Sequence, residues 1–247
     1  MAQIVPGSKD LGAIWFVGDS ITQSNADGDT NGSPRSELYN LLNANGYSFS
    51  YTGHFTANPE GLPVTGATAN DNLYQYHSGI SGSVIGDDFE KRTGMTENLA
   101  SHWSSGRLAS VKPNVILIML GTNDIGQGID VDNAPARLTN YIEQIFDLAV
   151  DGSPSVFVGS IPPNRRSAQQ TARVADFNSA IPDVVLSQQS LGRDIHFVDQ
   201  FAPLDNDYAN LMRSDNLHTN AAGNASLANQ WFNGIESVSS VPNAVAR

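Results

Sequence analysis

Five short segments of the chain have the composition and length of β-strands, and polar or glycine-rich residues separate them. They are residues 13–17, 48–52, 115–119, 155–159 and 195–198. The third segment, Val-Ile-Leu-Ile-Met, contains no polar residue, which is typical of a parallel strand that helices cover on both faces. Between the segments, apolar residues recur at helical intervals. Helices are predicted from Ser33-Pro34 to Gly46, within residues 96–110, and over residues 133–150, 171–187 and 220–235.

The first predicted helix begins well after the first strand, so the residues directly after that strand are expected to lie outside it. Ser33 and Pro34 form a typical N-terminus, because serine caps a helix and proline fits its first turn. Ser20 would then lie well before this helix. Residues 53–76 are rich in glycine, proline, asparagine and threonine, and we expect a long loop or small hairpins there. Pro182 predicts a kink in the helix that contains it.

Strands that alternate with helices indicate a parallel sheet with helices on both faces. We therefore predict an α/β fold, a three-layer α/β/α sandwich whose central parallel sheet has about five strands. Residues 1–247 are expected to form one domain, since a chain of 247 residues can bury a sizeable core. In such sheets, ligands bind beyond the carboxyl ends of the strands.

Charge and composition exclude several classes of partner. The formal net charge is −12, from 13 basic and 25 acidic residues, so the chain lacks the basic stripe that a nucleic-acid partner or an anionic membrane surface requires. A neutral substrate fits this charge better. Cysteine is absent, which excludes disulfides, a thiolate nucleophile and cysteine-zinc sites. No organic cofactor is implied.

The ends and apolar runs give expectations about location. The first residues lack a basic region followed by an apolar stretch, so no signal peptide is expected within this chain. The strongest apolar run, residues 115–120, is far too short to span a bilayer. An extracellular location is nevertheless the expectation, with a cytoplasmic location as the alternative.

Three polar clusters lie at or near the predicted carboxyl ends of strands, and each has an ordinary structural interpretation as a turn. In Gly18-Asp19-Ser20 the glycine permits a tight turn, which would present Ser20 as a nucleophile. In the cluster from Gly121 to Asp124, the Asn123 amide offers N–H donors suited to an oxyanion. All three clusters are expected at the same end of the sheet.

The third cluster combines an aspartate with a histidine. Of the five histidines, only His218 has an aspartate, Asp215, three residues earlier. On a short turn this spacing lets both side chains reach one site, where the carboxylate fixes the imidazole tautomer and the ring acts as a base. Asp194 and His196 lie on one face of a strand and are interpreted as structural.

With these residues the chain resembles the SGNH hydrolases, also called GDSL-type esterases, from about Trp15 to Ile235. Gly18-Asp19-Ser20-Ile21, Gly121 to Asp124, and Asp215 with His218 match the family's motifs. The resemblance also implies a glycine whose backbone N–H faces the oxyanion. It is placed in "YHSGISGSV" at Gly82, with Gly79 as the alternative.

Within that superfamily the chain most resembles carbohydrate esterase family 3, which contains acetylxylan esterases. The stretches that suggest it are "SELYNLLNANGYSFSYTG", "KPNVILIMLGTNDI" and "ADFNSAIPDVV". The chain departs from the family pattern at Ser83, where an aromatic residue is expected, and at Thr219, where proline is frequent.

The resemblance implies acyl transfer through Ser20 on an open loop, with His218 as the base and Asp215 as its orienting group. The N–H groups of Ser20 and Gly82 and the Asn123 amide would form the oxyanion hole. The implied substrate is an acetylated carbohydrate or a small ester. The alternative within the enzyme class is a lipolytic or thioester-cleaving esterase. A further alternative is a non-catalytic carbohydrate-binding domain, suggested by a set of aromatic residues: Tyr74, Tyr76, Trp103 and Tyr208.

A structural calcium ion is a separate candidate. In "NADGDTNGS", Asp27, Asp29 and Asn31 alternate before Gly32, like the start of a calcium loop. The glutamate expected at the twelfth position is absent, since Leu38 stands there and Glu37 comes one residue earlier. A solvated polar loop is the alternative interpretation.

Overall fold

The computed structural model describes residues 9–23, 34–56, 76–149 and 152–239. The strands are β1 Asp10–Gly18, β2 Ser48–Thr52, β3 Phe55–Thr56, β4 Tyr76–Gly79, β5 Val115–Met119, β6 Ser155–Gly159 and β7 Ile195–Val198. The helices are α1 Ser20–Gln23, α2 Pro34–Ala44, α3 Met95–Trp103, α4 Thr122–Gln127, α5 Ala134–Leu148, α6 Ala168–Gln189, α7 Phe201–Asn206, α8 Tyr208–Leu211 and α9 Ala221–Ser239. Short 3-10 turns lie at Gly106–Ala109 and Val131–Asn133.

Five parallel strands form the main sheet in the order β2-β1-β5-β6-β7. They are the five strands predicted from the sequence, so the expected parallel α/β sheet is confirmed. Two shorter strands extend it: β4 pairs in parallel with Val17 and Gly18 at the end of β1, and β3 pairs antiparallel with β4. Residues 57–75, most of the segment expected to form a loop or hairpins, lie outside the described part of the chain.

Side chains of β1 alternate between the two faces of the sheet and enter two separate hydrophobic clusters. Trp15 and Val17 pack with α3, α5 and α6 on one face. Ile14 and Phe16 pack with α2 and α9 on the other face. Burial of a large apolar side chain contributes about 1.5–3 kcal/mol relative to exposure, and these two layers confirm the three-layer sandwich.

The helix ends follow local capping signals. The helix α6 begins earlier than predicted, because the Ser167 hydroxyl accepts a hydrogen bond from the Gln170 N–H at 3.1 Å. The helix continues through Pro182 to Gln189. The helix α2 begins at Pro34 as expected, and Ser33 lies outside the described residues.

Two buried histidines make the stability of this fold sensitive to acid. Burial, with a smaller repulsion from His54, lowers the pKa of His102 to about 4, and burial lowers the pKa of His77 to about 2. The unfolded chain takes up protons near pH 6.5, whereas the native state does not. The contribution of these histidines to the free energy of unfolding is therefore fully present above pH 6.5, and it is lost as the pH decreases toward 4.

We expect His102→Gln to flatten the decline of stability between pH 6.5 and 4. Over this pH range, the change in the free energy of unfolding should differ between the two proteins by up to about 3 kcal/mol, since one pKa unit corresponds to about 1.4 kcal/mol. Urea denaturation of both proteins at several pH values measures it. Parallel stability profiles over this range would show that His102 does not contribute.

Candidate active site

The predicted site residues lie where strands end on one edge of the sheet. Ser20 follows β1, Gly82 follows β4, and Asn123 follows β5. Because these strands run parallel, their carboxyl ends share one edge, which is where ligands bind in open α/β sheets.

Ser20 begins the short helix α1 directly after β1. The expectation of an open loop here is wrong, because Asp19 caps this helix: its Oδ1 accepts a hydrogen bond from the Ile21 N–H at 2.9 Å. Burial raises the pKa of the Asp19 carboxyl, and its hydrogen bonds oppose that effect. A side chain at Gly18 would come within 2.6 Å of the Met119 carbonyl oxygen, so only glycine permits this close turn.

The structure brings Ser20, His218 and Asp215 into one hydrogen-bonded chain. The Ser20 Oγ lies 2.9 Å from the His218 Nε2, and the His218 Nδ1 lies 2.5 Å from the Asp215 Oδ2. An ionised carboxylate only accepts hydrogen bonds. The His218 proton therefore belongs on Nδ1, which leaves the Nε2 lone pair to accept the Ser20 O–H.

The turn from Asp215 to His218 positions both side chains through local bonds. The Asp215 Oδ1 accepts the N–H groups of Leu217 and His218, each at 3.0 Å. Asn216 has a φ of 60°, in the left-handed region that asparagine tolerates. The turn is also tied to α9, since the Thr219 Oγ1 donates to the Asn224 Oδ1 at 2.6 Å.

The Asp215 carboxyl has two kinds of partner. Partial burial would raise its pKa, but hydrogen bonds from the His218 ring and the backbone N–H groups outweigh burial and lower it. Arg166 also approaches from the loop after β6: its Nε donates to the Asp215 carbonyl oxygen at 2.9 Å, and its Nη2 lies 3.4 Å from Oδ2. These contacts keep the carboxylate ionised beside the imidazole.

Two glycines were candidates for an oxyanion donor, and their N–H groups differ. The Gly79 N–H donates to the His77 Nδ1 at 3.0 Å, so it is already used. Gly82 has a φ of 79°, and within the described residues its N–H has no hydrogen-bond acceptor. Its loop is held to α1 by a bond of 2.6 Å from the Ser81 N–H to the Gln23 Oε1. This geometry favours Gly82 over Gly79.

Asn123 and Asp124 connect the end of β5 with the Gly82 loop. The Asn123 Nδ2 donates to the Ser83 carbonyl oxygen at 2.9 Å, and the Asp124 carboxylate accepts the Ile85 N–H at 3.1 Å. Burial raises the pKa of Asp124, whereas a 2.5 Å hydrogen bond from Arg137 lowers it. Asp124 thus anchors the backbone at Ile85, and within the described residues the second amide hydrogen of Asn123 has no acceptor.

A cavity of about 740 Å³ lies beside the Gly82 loop. Its volume is within the range of small-molecule sites. Its lining residues are polar or charged apart from glycine: Ser81, Gly82, Glu90, Lys91 and Arg92.

The Asp194–His196 pair and Trp103 do not join this site, whereas the Tyr208 hydroxyl donates to the Asn216 Oδ1 at 3.2 Å, within the turn from Asp215 to His218. Asp194 and His196 form a pair at 2.7 Å, at the start of β7 and so at the opposite edge of the sheet. Trp103, expected as an exposed aromatic, is buried against Trp15 instead. The guanidinium of Arg165 covers the Tyr208 ring at 4.0 Å. Tyr74 lies outside the described residues.

The calcium candidate, Asp27, Asp29 and Asn31, also lies outside the described residues. Within the ranges that are described, no group of three or more histidine, cysteine or acidic side chains is placed to hold a metal ion. The same ranges contain no helix long and apolar enough to cross a membrane.

The chain is similar to several known proteins. Residues 16–225 match the model of the GDSL-like lipase/acylhydrolase family. A multidomain esterase from Ruminococcus flavefaciens is 27% identical over an alignment of 236 residues, which covers 90% of this chain and 28% of that protein. The chain thus spans well under half of this curated relative.

Two solved structures show the same fold. A family 3 carbohydrate esterase from Clostridium thermocellum has a TM-score of 0.70 and 24% identity, and the match covers 93% of this chain and 99% of that one. An acetylxylan esterase from Geobacillus stearothermophilus has a TM-score of 0.59 and 18% identity, with 94% and 96% covered.

Proposed function

The chain belongs to the GDSL-like lipase/acylhydrolase family, and we propose that it is a serine esterase that removes acetyl groups from carbohydrate. The supporting observation is the chain of hydrogen bonds from Ser20 through His218 to Asp215, at 2.9 and 2.5 Å. In this order a hydroxyl nucleophile meets a base, and the base meets an orienting carboxylate.

In the first step, the His218 Nε2 takes the Ser20 proton while Oγ attacks the ester carbonyl. The carbonyl π electrons move to its oxygen and form a tetrahedral oxyanion. The N–H groups of Ser20 and Gly82 and the Asn123 amide stabilise this charge. The Ser20 N–H suits this role, because the first N–H groups of a helix have no intrahelical acceptor.

The tetrahedral intermediate then collapses and breaks the bond to the alcohol oxygen. His218, now protonated on both nitrogens, donates its Nε2 proton to that leaving oxygen, and the sugar departs with a free hydroxyl. Water next attacks the acyl-Ser20 carbonyl as His218 takes one of its protons. Collapse of the second intermediate returns the proton to Ser20 and releases acetic acid, which ionises to acetate by losing its proton to water.

Asp215 stabilises the imidazolium that forms in each step and keeps His218 in the correct tautomer. Its Oδ2 faces the imidazole, while its Oδ1 holds the turn through two backbone N–H groups. Because both carboxylate oxygens already have these partners, few groups have to move when the positive charge appears on His218.

The choice of an acetylated carbohydrate as substrate rests on two supports. The relatives include carbohydrate esterases and an acetylxylan esterase, and the side chains that line the cavity beside Gly82 are polar or charged. A long acyl chain needs a continuous apolar groove, since each buried methylene contributes about 0.8 kcal/mol. A polysaccharide substrate would also place the enzyme outside the cell, as proposed here for its location.

We expect kcat/KM to be highest for acetyl esters and to fall steeply toward octanoyl esters of the same chromophore. Acetate release from acetylated xylan and acetylated pectin then tests the carbohydrate assignment. A maximum at octanoyl, with no acetate from either polysaccharide, would favour the lipolytic alternative. No hydrolysis of any ester would favour a binding domain.

A further inference from the structure

Arg92 contacts two of the groups that surround the proposed oxyanion. Its Nη1 lies 3.2 Å from the Gly82 carbonyl oxygen and 3.4 Å from the Asn123 Oδ1. No carboxylate lies within ion-pair distance of Arg92 in the described part of the chain, so these neutral oxygens are its partners there.

Arg92 and the Ser83 carbonyl oxygen together determine the orientation of the Asn123 amide. A guanidinium can only donate hydrogen bonds, so the amide atom beside it must be the oxygen. The amide nitrogen is thereby turned to the opposite side. There one N–H bonds the Ser83 carbonyl oxygen at 2.9 Å, and the second is left for a ligand.

The backbone that presents Arg92 is held by bonds that do not involve its side chain. A tight turn pairs Phe89 with Arg92 through two backbone hydrogen bonds of 3.1 and 2.8 Å. The Val84 N–H then donates to the Thr93 carbonyl oxygen at 3.0 Å, which joins this turn to the Gly82 loop. Substitution of the Arg92 side chain should therefore leave the local backbone intact.

From these contacts we infer that Arg92 is a positioning residue of the oxyanion hole, which fixes the Asn123 amide with its N–H groups toward the reacting carbonyl. The inference rests on the proposed function and deepens it. Without Arg92 only the bond to the Ser83 carbonyl oxygen holds the Asn123 amide, so its N–H groups are directed less firmly at the developing negative charge. The effect belongs to the transition state, where that charge is largest.

A double-mutant cycle between Arg92 and Asn123 tests this role. We expect Arg92→Met to lower kcat on an acetyl ester by about 10-fold with little change in KM, and Asn123→Ala to lower it by about 10² to 10³. In the Asn123→Ala background, Arg92→Met should cost less than about 2-fold, because the amide that it orients is gone. Arg92→Lys, which keeps a donor, should recover part of the rate.

Lys9→Met is the control, since Lys9 is exposed and lies just before β1, at the end of the strands opposite to the site. It should leave kcat unchanged, and thermal denaturation should show that all variants fold. An Arg92→Met effect of equal size in both backgrounds, or one confined to KM, would overturn the inference. If Ser20→Ala kept full activity, the proposed function itself would fail. An inactive Ser20→Ala with a silent Arg92→Met would remove only the role of Arg92.

Discussion

Replacement of Ser20 with alanine is expected to lower kcat on an acetyl ester by about 10⁴- to 10⁶-fold, because the reaction then lacks its nucleophile. The substitution removes one hydroxyl at the start of α1, where alanine is an excellent helix former. The bond that caps this helix comes from Asp19 and is unaffected. The loss should therefore appear in activity while the fold remains.

Steady-state kinetics and thermal denaturation of the same preparation measure both parts of this expectation. Ser81→Ala is a suitable control, since Ser81 is exposed and lines the adjacent cavity, and only its backbone N–H bonds Gln23. It should retain near-normal activity. If the Ser20 variant kept more than a tenth of the activity, Ser20 would not be the nucleophile.

The strands could be predicted from the sequence because burial on both faces dictates their composition. Val115–Met119 is wholly apolar and fully buried, so its pattern predicts a strand that is covered on both faces. The strand β4 was missed since it is short and polar, although His77 and Ser78 are buried. Its serine is satisfied by a long-range bond of 2.8 Å from the Trp15 indole N–H, which no local pattern reveals.

Short helices escaped prediction for a related reason. The helices α1 and α4 have four and six residues, too few for a helical period to be visible. The helix α1 has one signal, the Asp19 cap before Ser20, and the stronger Ser33-Pro34 signal obscured it. The consequence concerns function, since the helix places the Ser20 N–H beside the site.

Some residues of the candidate site could likewise be predicted from the sequence, and others could not. Asp215 and His218 are three residues apart in the sequence, so their proximity follows from local spacing. In the structure the Asp215 Oδ2 lies 2.5 Å from the His218 Nδ1. Arg166 lies 49 residues from Asp215, and Arg92 lies 31 residues from Asn123. Neither occurs in a recognisable motif, so only the folded chain reveals them. The roles assigned to Ser20, His218, Asp215, Gly82 and Asn123 stay predictions until variants are measured.

We expect His218→Ala to lower kcat about as much as Ser20→Ala, by about 10⁴- to 10⁶-fold, because nucleophile and base act as a unit. For the same reason, the double variant should be scarcely worse than either single one. Asp215→Asn should cost about 10⁴-fold. Its side-chain amide can donate to the His218 Nδ1, which would leave the proton on Nε2 and remove the acceptor for the Ser20 hydroxyl.

The chain offers an internal control for this prediction, the pair of Asp194 and His196. The two side chains are 2.7 Å apart, and Asp194 also accepts a hydrogen bond of 2.5 Å from the Ser155 hydroxyl. This second group of serine, aspartate and histidine has the carboxylate in the middle, so its histidine cannot activate its serine. We therefore expect His196→Ala and Asp194→Asn to change the free energy of unfolding, while kcat stays near normal. If His196→Ala abolished hydrolysis and His218→Ala did not, the assignment of the base would be wrong.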